Sequence, residues 1–397
     1  VINLARRDIS NHLGRYVLTG VGLGLLIGVT LTMAGVYRGM VDDAKVLLQA
    51  VGADIWVVQK DTLGPFAEPS SLQDDVQRTL RGLPGVEQAG NVAYLTMQVT
   101  RGAHDTRVMV AGYQPGGLGG PAFLVEGRPI SQSHYEAVAD VKTGFKVGDR
   151  VRARRNNYTV VGLTRRMVSS NGDPMLFVSL KDAQQAQFLK DNDAIINDRT
   201  RLAANPAVNR PGQPGLLRVV ESLQTTSHRV NAVLVRVAPG YDADRVADEI
   251  KRWKHLTAYT AAAMEEILVA KLIATAAKQI SLFLVILALV SAAIVAFIIY
   301  TMTMGKTKEI AVLKLIGTRD RTIASMIMQE ALGLGIIGFI VGKMAATMWA
   351  PVFPKHVLLQ TDDALRALVL GLVICALASV LAIRAALSID PAEAIGG

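Results

Sequence analysis

Cysteine is almost absent: Cys375 is the only one in the chain, and it lies in an apolar run. An intrachain disulfide and a cysteine-rich zinc site are therefore excluded, and any soluble domain must be held together by burial. Histidine is scarce as well, with six residues and none paired at a ligand spacing such as HxxxH, so no metal site is signalled. Charged residues make up only 19% of the chain against 51% hydrophobic, and the mean hydropathy is +0.32. That balance is too apolar for an ordinary soluble protein and too charged for one wholly embedded in lipid. It predicts membrane spans joined to a folded soluble domain. No GxxxxGK(S/T) phosphate loop occurs, and the glycine cluster from Gly116 to Gly120 lacks the Lys-Ser/Thr pair and reads as a turn. No constellation of catalytic residues stands out, so the chain is not expected to be an enzyme.

Long uncharged runs are what the sequence does have. Tyr16 to Tyr37 carries no acidic or basic side chain, and about 20 apolar residues suffice to cross a hydrocarbon core of about 30 Å. Its length and the lack of a small-x-small cleavage site favour an uncleaved helix over a signal peptide. Apolar runs return at Ile280–Met304, Ile323–Ala350 and Ala367–Ile383, which predicts four spans in all. The third holds two ionisable groups, Glu330 and Lys343, which are costly in lipid unless they snorkel or face protein.

The net charge of +9 could serve nucleic acid, anionic lipid or membrane flanks, and its placement favours the membrane. Arg6, Arg7 and Arg15 precede the first span, Lys306, Lys308, Lys314, Arg319 and Arg321 fill the link between the second and third, and Arg384 follows the fourth. By the positive-inside rule all three clusters are cytoplasmic. The expected order is a cytoplasmic interfacial helix (1–15), a first span (16–38), an extracytoplasmic α/β domain (39–277), a second span (278–304), a cytoplasmic segment (305–322), a third span (323–350), an outer loop (351–364), a fourth span (365–387) and a cytoplasmic tail (388–397). The expected fold class is thus an α-helical membrane protein with four transmembrane helices plus a large mixed α/β extracytoplasmic domain, with both termini cytoplasmic.

Within the outer domain, ADIWVVQ, Ala93–Val99, Arg107–Ala111 and Ala232–Val237 alternate as strands do, and Trp56 reads as core. Helices are expected over Ser71–Arg81 and Asp242–Trp253. KVGDRVRARRNNYTVVGL reads as a β-meander turning at Asn156 and Asn157, inside an inserted subdomain of about 121–228; its RARR run is expected at a solvated strand edge or drawn to anionic headgroups, not on nucleic acid. The stretch 192–215 reads as a loop. Ala261–Lys278 lacks helix breakers, so a stalk helix should run straight into the second span.

Two segments suggest packing surfaces. Gly20, Gly24 and Gly28 recur every four residues, leaving a smooth strip where another helix can come close, either from the same chain or from a second copy. KTKEIAVLKLIGTRDRTI, between the second and third spans, reads as a short amphipathic helix: Ile310, Val312, Leu313 and Ile316 offer an apolar face, Lys308, Glu309 and Lys314 a charged one, and Gly317 suits its C-terminal cap.

The order of parts resembles the MacB/FtsX-type family of ABC transporter permeases. That KTKEIAVLKLIGT segment, the terminal DPAEAI and the KVGDRV/YTVVGL meander are similar to family motifs and touch all major segments of the chain. The resemblance implies that the 305–322 segment is a coupling helix that seats on a separate ATP-binding subunit through Lys308, Glu309, Ile310, Leu313, Lys314 and Gly317. ATP and Mg would belong to that partner, as in the DevC, HrtB and LolC/LolE branches, since this chain lacks the phosphate loop. A second permease copy, membrane lipid, and a periplasmic adaptor with an outer-membrane duct are the further partners it implies. The implied location is a bacterial inner membrane and the implied function mechanotransmission that exports or extracts an amphipathic or hydrophobic substrate from that membrane or the periplasm; the alternative is an FtsX-like signalling subunit controlling a periplasmic cell-wall hydrolase. No residue cluster names a substrate.

Overall fold

An apolar stretch in hydrocarbon has no water to satisfy its backbone, so a helix, which bonds every internal N–H and C=O to itself, is the natural solution for each of the long runs. The computed structural model describes residues 13–187, 197, 200–209, 229–253, 255–353 and 355–388. In chain order these form α1 (Leu13–Val51), β1 (Ile55–Gln59), β2 (Leu72–Gln73), α2 (Val76–Arg81), β3 (Val86–Arg101), β4 (His104–Tyr113), β5 (Leu124–Gly127), β6 (Glu136–Asp140), β7 (Arg150–Ala153), β8 (Asn156–Thr164), β9 (Met175–Ser179) and α3 (Leu180–Gln187). After them come β10 (Arg229–Val230), β11 (Ala232–Val237), α4 (Ala243–Lys251), β12 (Leu256–Thr260), α5 (Ala261–Glu266), a π-helical turn (Ile267–Ile273), α6 (Ala274–Met304), α7 (Thr307–Leu315), α8 (Asp320–Trp349) and α9 (Thr361–Leu387). The chain divides into two compact units, residues 1–40 with 275–397, and residues 41–274.

Among the described residues, four continuous helical stretches are long and apolar enough to cross a membrane: Tyr16–Val51, Ala261–Met304, Asp320–Trp349 and Thr361–Leu387. The stalk expectation corresponds to the unbroken helical run from Ala261 through Met304, with a π-helical turn in it. The interfacial helix and the terminal DPAEAI motif lie outside the described residues, as does most of the 192–215 stretch.

In the membrane unit the core is built from Leu23, Ile299, Ile310, Ile327, Leu334, Cys375, Ala382 and their neighbours. Small residues make it tight. Gly335 of α8 leaves little room for a side chain, because a Cβ there would stand 3.0 Å from Cys375 Sγ.

In the α/β unit, ten strands share one sheet among the described residues, in the order β12-β1-β11-β3-β4-β9-β6-β8-β5, with β7 bridging β3 and β8. Most neighbours are antiparallel; β4 with β9 and β6 with β8 are parallel. The β3–β4 hairpin closes on Arg101 opposite His104, and Gly102 takes φ +62° at the first loop position, as a type II′ turn requires. β1 buries Ile55, Trp56, Val57 and Val58 in succession, the signature of a strand covered on both faces. Helix α4 begins at Asp242, whose side chain accepts from the Asp244 amide at 3.2 Å, as its composition suggested.

Three expectations for this unit are corrected. The meander turns at Arg154–Arg155, not at the Asn pair: Ala153 faces Asn156, Arg152 faces Asn157, and Arg154 carries the positive φ of 54°. This register sets Tyr158, 2% exposed, inside the ladder opposite Val151; a turn two residues later would leave that ring at the hairpin tip. The described part of the expected insertion is no separate body either. β9 hydrogen-bonds along β4, β6 follows β9, and β8 and β5 complete the same sheet, so these strands satisfy an edge that β4 would otherwise leave open. The helix expected over 71–81 is also shorter, because Leu72 and Gln73 pair with Arg229 and Val230.

Candidate functional site

Helix α7 is short, yet three anchors fix it in the membrane unit. Ile310 is fully buried in the helical core with Ala311 beside it. At its start, Lys306 is 8% exposed and its Nζ lies 3.0 Å from Glu330 Oε2 of α8 and 3.2 Å from Tyr16 Oη of α1. Toward its end, Lys314 Nζ donates to the Leu387 carbonyl at the last turn of α9, at 2.7 Å. That bond satisfies one of the orphan carbonyls that every helix leaves at its C-terminus. Glu330, flagged by the sequence as costly, is thus explained: it is 7% exposed and held as one half of a buried ion pair.

The end of α7 is equally defined. Gly317 sits at φ +86°, its N–H donates to Lys314 O at 3.0 Å, and the Thr318 N–H reaches back to Leu313 O at 3.0 Å. These are the two bonds of a Schellman termination, which needs a left-handed residue where glycine stands.

What α7 offers to solvent differs from the expected apolar face. Val312, Leu315 and Ile316 are 45%, 64% and 75% exposed, and Lys308 and Glu309 are exposed with them. At 100° per residue these five positions share an arc of roughly 120°. Ile310, expected as a contact residue, points the other way into the core, and Leu313 and Lys314 are half-buried. The 3.6-residue period marks two faces, and only the neighbours decide which one is covered. Sequence reasoning missed Lys306, Tyr16 and Leu315; the signal available for Lys306 was the unexplained Glu330, an acid in a span with no basic residue on its own helix nearby.

The glycine strip of α1 lies against α8 of the same chain. Gly20, Gly24 and Gly28 face α8: a Cβ on Gly20 would stand 2.5 Å from Ile337 Cγ2, one on Gly24 2.7 Å from Val341 Cβ and 2.9 Å from the Gly338 oxygen, and one on Gly28 3.0 Å from the Gly342 oxygen. Gly338 and Gly342 answer from α8, where a Cβ on Gly342 would meet Gly24 O at 2.6 Å. Of the two readings of this strip, packing within the chain is the one these distances support. By contrast α6 leaves Leu282, Phe283, Leu289 and Phe297 between 62% and 68% exposed.

In the α/β unit the best-defined electrostatic feature is structural. Glu136 is buried and accepts from Arg128 Nη1 at 3.1 Å and from the amides of Ser131 and Gln132 at 2.8 and 3.0 Å. The guanidinium of Arg128, aided by those two amides, holds its carboxyl down to about 2.

Comparison with known proteins joins these parts. Residues 17–253 match the MacB-like periplasmic core domain and residues 281–391 the FtsX-like permease C-terminal. The chain is 25% identical over 393 residues to an uncharacterized ABC transporter permease of Mycobacterium tuberculosis (strain ATCC 25618 / H37Rv), with 99% of each covered. It is 20% identical over 407 residues to the putative hemin transport system permease protein HrtB of Staphylococcus haemolyticus, covering 100% of this chain and 99% of that one. The solved periplasmic region of MacB from Actinobacillus actinomycetemcomitans aligns over 54% of this chain and 92% of its own, with a TM-score of 0.35 and 10% identity. With helices fit to cross a membrane, a mixed α/β domain between the first two, and a core-domain match that covers more than half its length, the chain belongs to the MacB/FtsX-type family of ABC transporter permeases.

Proposed function

We propose that this permease couples ATP hydrolysis on a separate ATPase subunit to export or extraction of an amphipathic molecule, with α7 as the coupling helix. The observation that carries the reading is an exposed patch of Val312, Leu315 and Ile316, edged by Lys308 and Glu309, on a helix whose opposite side is pinned to α1, α8 and α9. A loop needed only for its positive charge has no reason to show three large apolar side chains to water. A helix that must seat in a groove on a soluble partner does. Positive-inside placement of Lys306, Lys308, Arg319 and Arg321 supports a cytoplasmic position for α7, and hence an outer position for the α/β unit. The bare apolar flank of α6 supports assembly with a second copy of the chain.

Transport requires that each nucleotide state prefer a different helix arrangement, since a ligand that favours neither shifts nothing. Mechanotransmission through α7 supplies such a bias if the ATPase grips it differently in its two states. The FtsX-like alternative, a signalling subunit acting on a periplasmic hydrolase, is favoured by the match of residues 281–391 alone. The core-domain match over residues 17–253 favours transport. The test is co-purification with the cognate ATPase: Glu309→Lys and Ile316→Asp should each abolish association and stimulated hydrolysis while leaving the permease folded. Unchanged association in both variants defeats the assignment.

A further inference from the structure

A cleft of about 240 Å³ lies in the membrane unit between α1, α8 and the start of α9. Its lining combines apolar side chains, Leu31, Ala346 and Leu358, with the polar Lys343, Gln360 and Asp363. The two charges are not in the same condition. Asp363 accepts from Arg38 Nη2 at 2.6 Å and is ion-paired with it. Lys343 is exposed and has no acidic partner among the described residues.

Its depth matters. Lys343 stands six positions before the end of α8 at Trp349, roughly 9 Å along the axis. The twelve residues before it, Ala331 to Gly342, carry no charge. An ammonium at that level reaches the layer where lipid phosphates lie, with its stem on apolar surface. The first turn of α9 borders the same cleft, and its N-cap residue Gln360 makes no side-chain cap hydrogen bond, so backbone amides at the positive end of that helix add to the preference for an anion. Asp362, on the same turn, does not line the cleft.

We propose that this cleft binds the acidic headgroup of a membrane amphiphile, with Lys343 as its counter-cation, Gln360 as a hydrogen-bonding partner and the acyl chain against Leu31 and Ala346. The proposal rests on the reading of the chain as a handler of amphiphiles and narrows that class to negatively charged ones.

The test uses the full-length chain with its ATPase in phosphatidylcholine nanodiscs doped with phosphatidylglycerol, followed by gentle extraction and native mass spectrometry of retained lipid. Wild type and Lys343→Arg should retain phosphatidylglycerol in preference to phosphatidylcholine. Lys343→Gln should lower that retention about fivefold, the worth of one lysine at an anionic surface, and Lys343→Glu should lower it further. Equal retention by wild type and Lys343→Glu, with both unfolding at the same temperature, overturns the proposal. Excess inorganic phosphate should displace none of the lipid; full displacement overturns the amphiphile and assigns a free anion instead. ATPase association separates the two levels of inference. It should survive Lys343→Gln, whereas Glu309→Lys should lose it with lipid retention intact; association that survives Glu309→Lys while lipid retention still depends on Lys343 defeats the coupling reading and not the cleft.

Discussion

Removing either partner of the Lys306–Glu330 pair should destabilise the membrane unit far more than removing both. The two groups stand 3.0 Å apart, with side chains only 9% exposed on each side. At an effective dielectric of about 20 their attraction is about 5.5 kcal/mol, offset by the several kcal/mol that each ion loses on leaving water. The net worth of the pair is therefore small. A single substitution, Lys306→Met or Glu330→Leu, leaves an uncompensated buried charge and should cost about 3–5 kcal/mol, while the double variant should lie within about 1–2 kcal/mol of wild type. Thermal unfolding in detergent reads this directly: each single variant should unfold on the order of 10 °C lower, and the double variant should recover most of that. Tyr16 moderates one arm, since its hydroxyl, 3.2 Å from Lys306 Nζ, gives the ammonium an acceptor when Glu330 is gone. Glu330→Leu should accordingly be the milder single change. Additive losses in the double variant, or single variants indistinguishable from wild type, would refute the account of α7 as a helix rooted by a buried ion pair.

Three further outcomes are expected. Gly24→Ala drives a Cβ to 2.7 Å from Val341 Cβ and should cost about 1–3 kcal/mol, whereas Gly22→Ala, with nothing within 4 Å, should be neutral or slightly stabilising; equal effects on thermal unfolding would remove the α1–α8 interlock. Glu136→Gln should lower the unfolding temperature of the α/β unit at neutral pH. Because the carboxyl is held down to about 2, its contribution is complete above about pH 4.5 and is lost as pH falls toward 2, so the gap between variant and wild type should close over that window; a gap independent of pH would disprove the carboxylate's role. Lys314→Met, which loses the bond to the Leu387 carbonyl, should leave ATPase association intact and reduce stimulated hydrolysis, a split that an ordinary contact residue would not give.

Length, charge placement and alternation carry a great deal in this sequence, and they carry it for local reasons. A run free of charge from Tyr16 to Tyr37 can only be satisfied as a helix in lipid, and the strand Ala232–Val237 is readable to its last residue because β-branched and apolar side chains stop at Pro239 and Gly240. What stayed illegible is non-local. Asn156 and Asn157 are good turn residues, but the ladder gains more by keeping Tyr158 opposite Val151, so the turn falls on two arginines instead. The glycine strip of α1 marks a close approach without saying to what. Its partner strip, Gly338 and Gly342, lies more than 300 residues away and is found only when the two helices are seen together.

The same limit explains why α7 was legible as a two-faced helix while its outward side was misassigned. Periodicity in KTKEIAVLKLIG separates Ile310 from Ile316 but is silent about which of them meets the protein. The answer comes from charge. Lys306 cannot be left bare in a low-dielectric core, so it turns toward Glu330 and Tyr16, and this fixes the rotation of the helix that begins with the next residue. Once that rotation is set, Ile310 must face inward and Val312, Leu315 and Ile316 outward. The lysine that looks like one more positive-inside residue is thereby the one that decides which surface of α7 stays open, and under the proposed coupling role its tie to α1 and α8 would deliver force applied to that surface to membrane helices rather than let a loop absorb it.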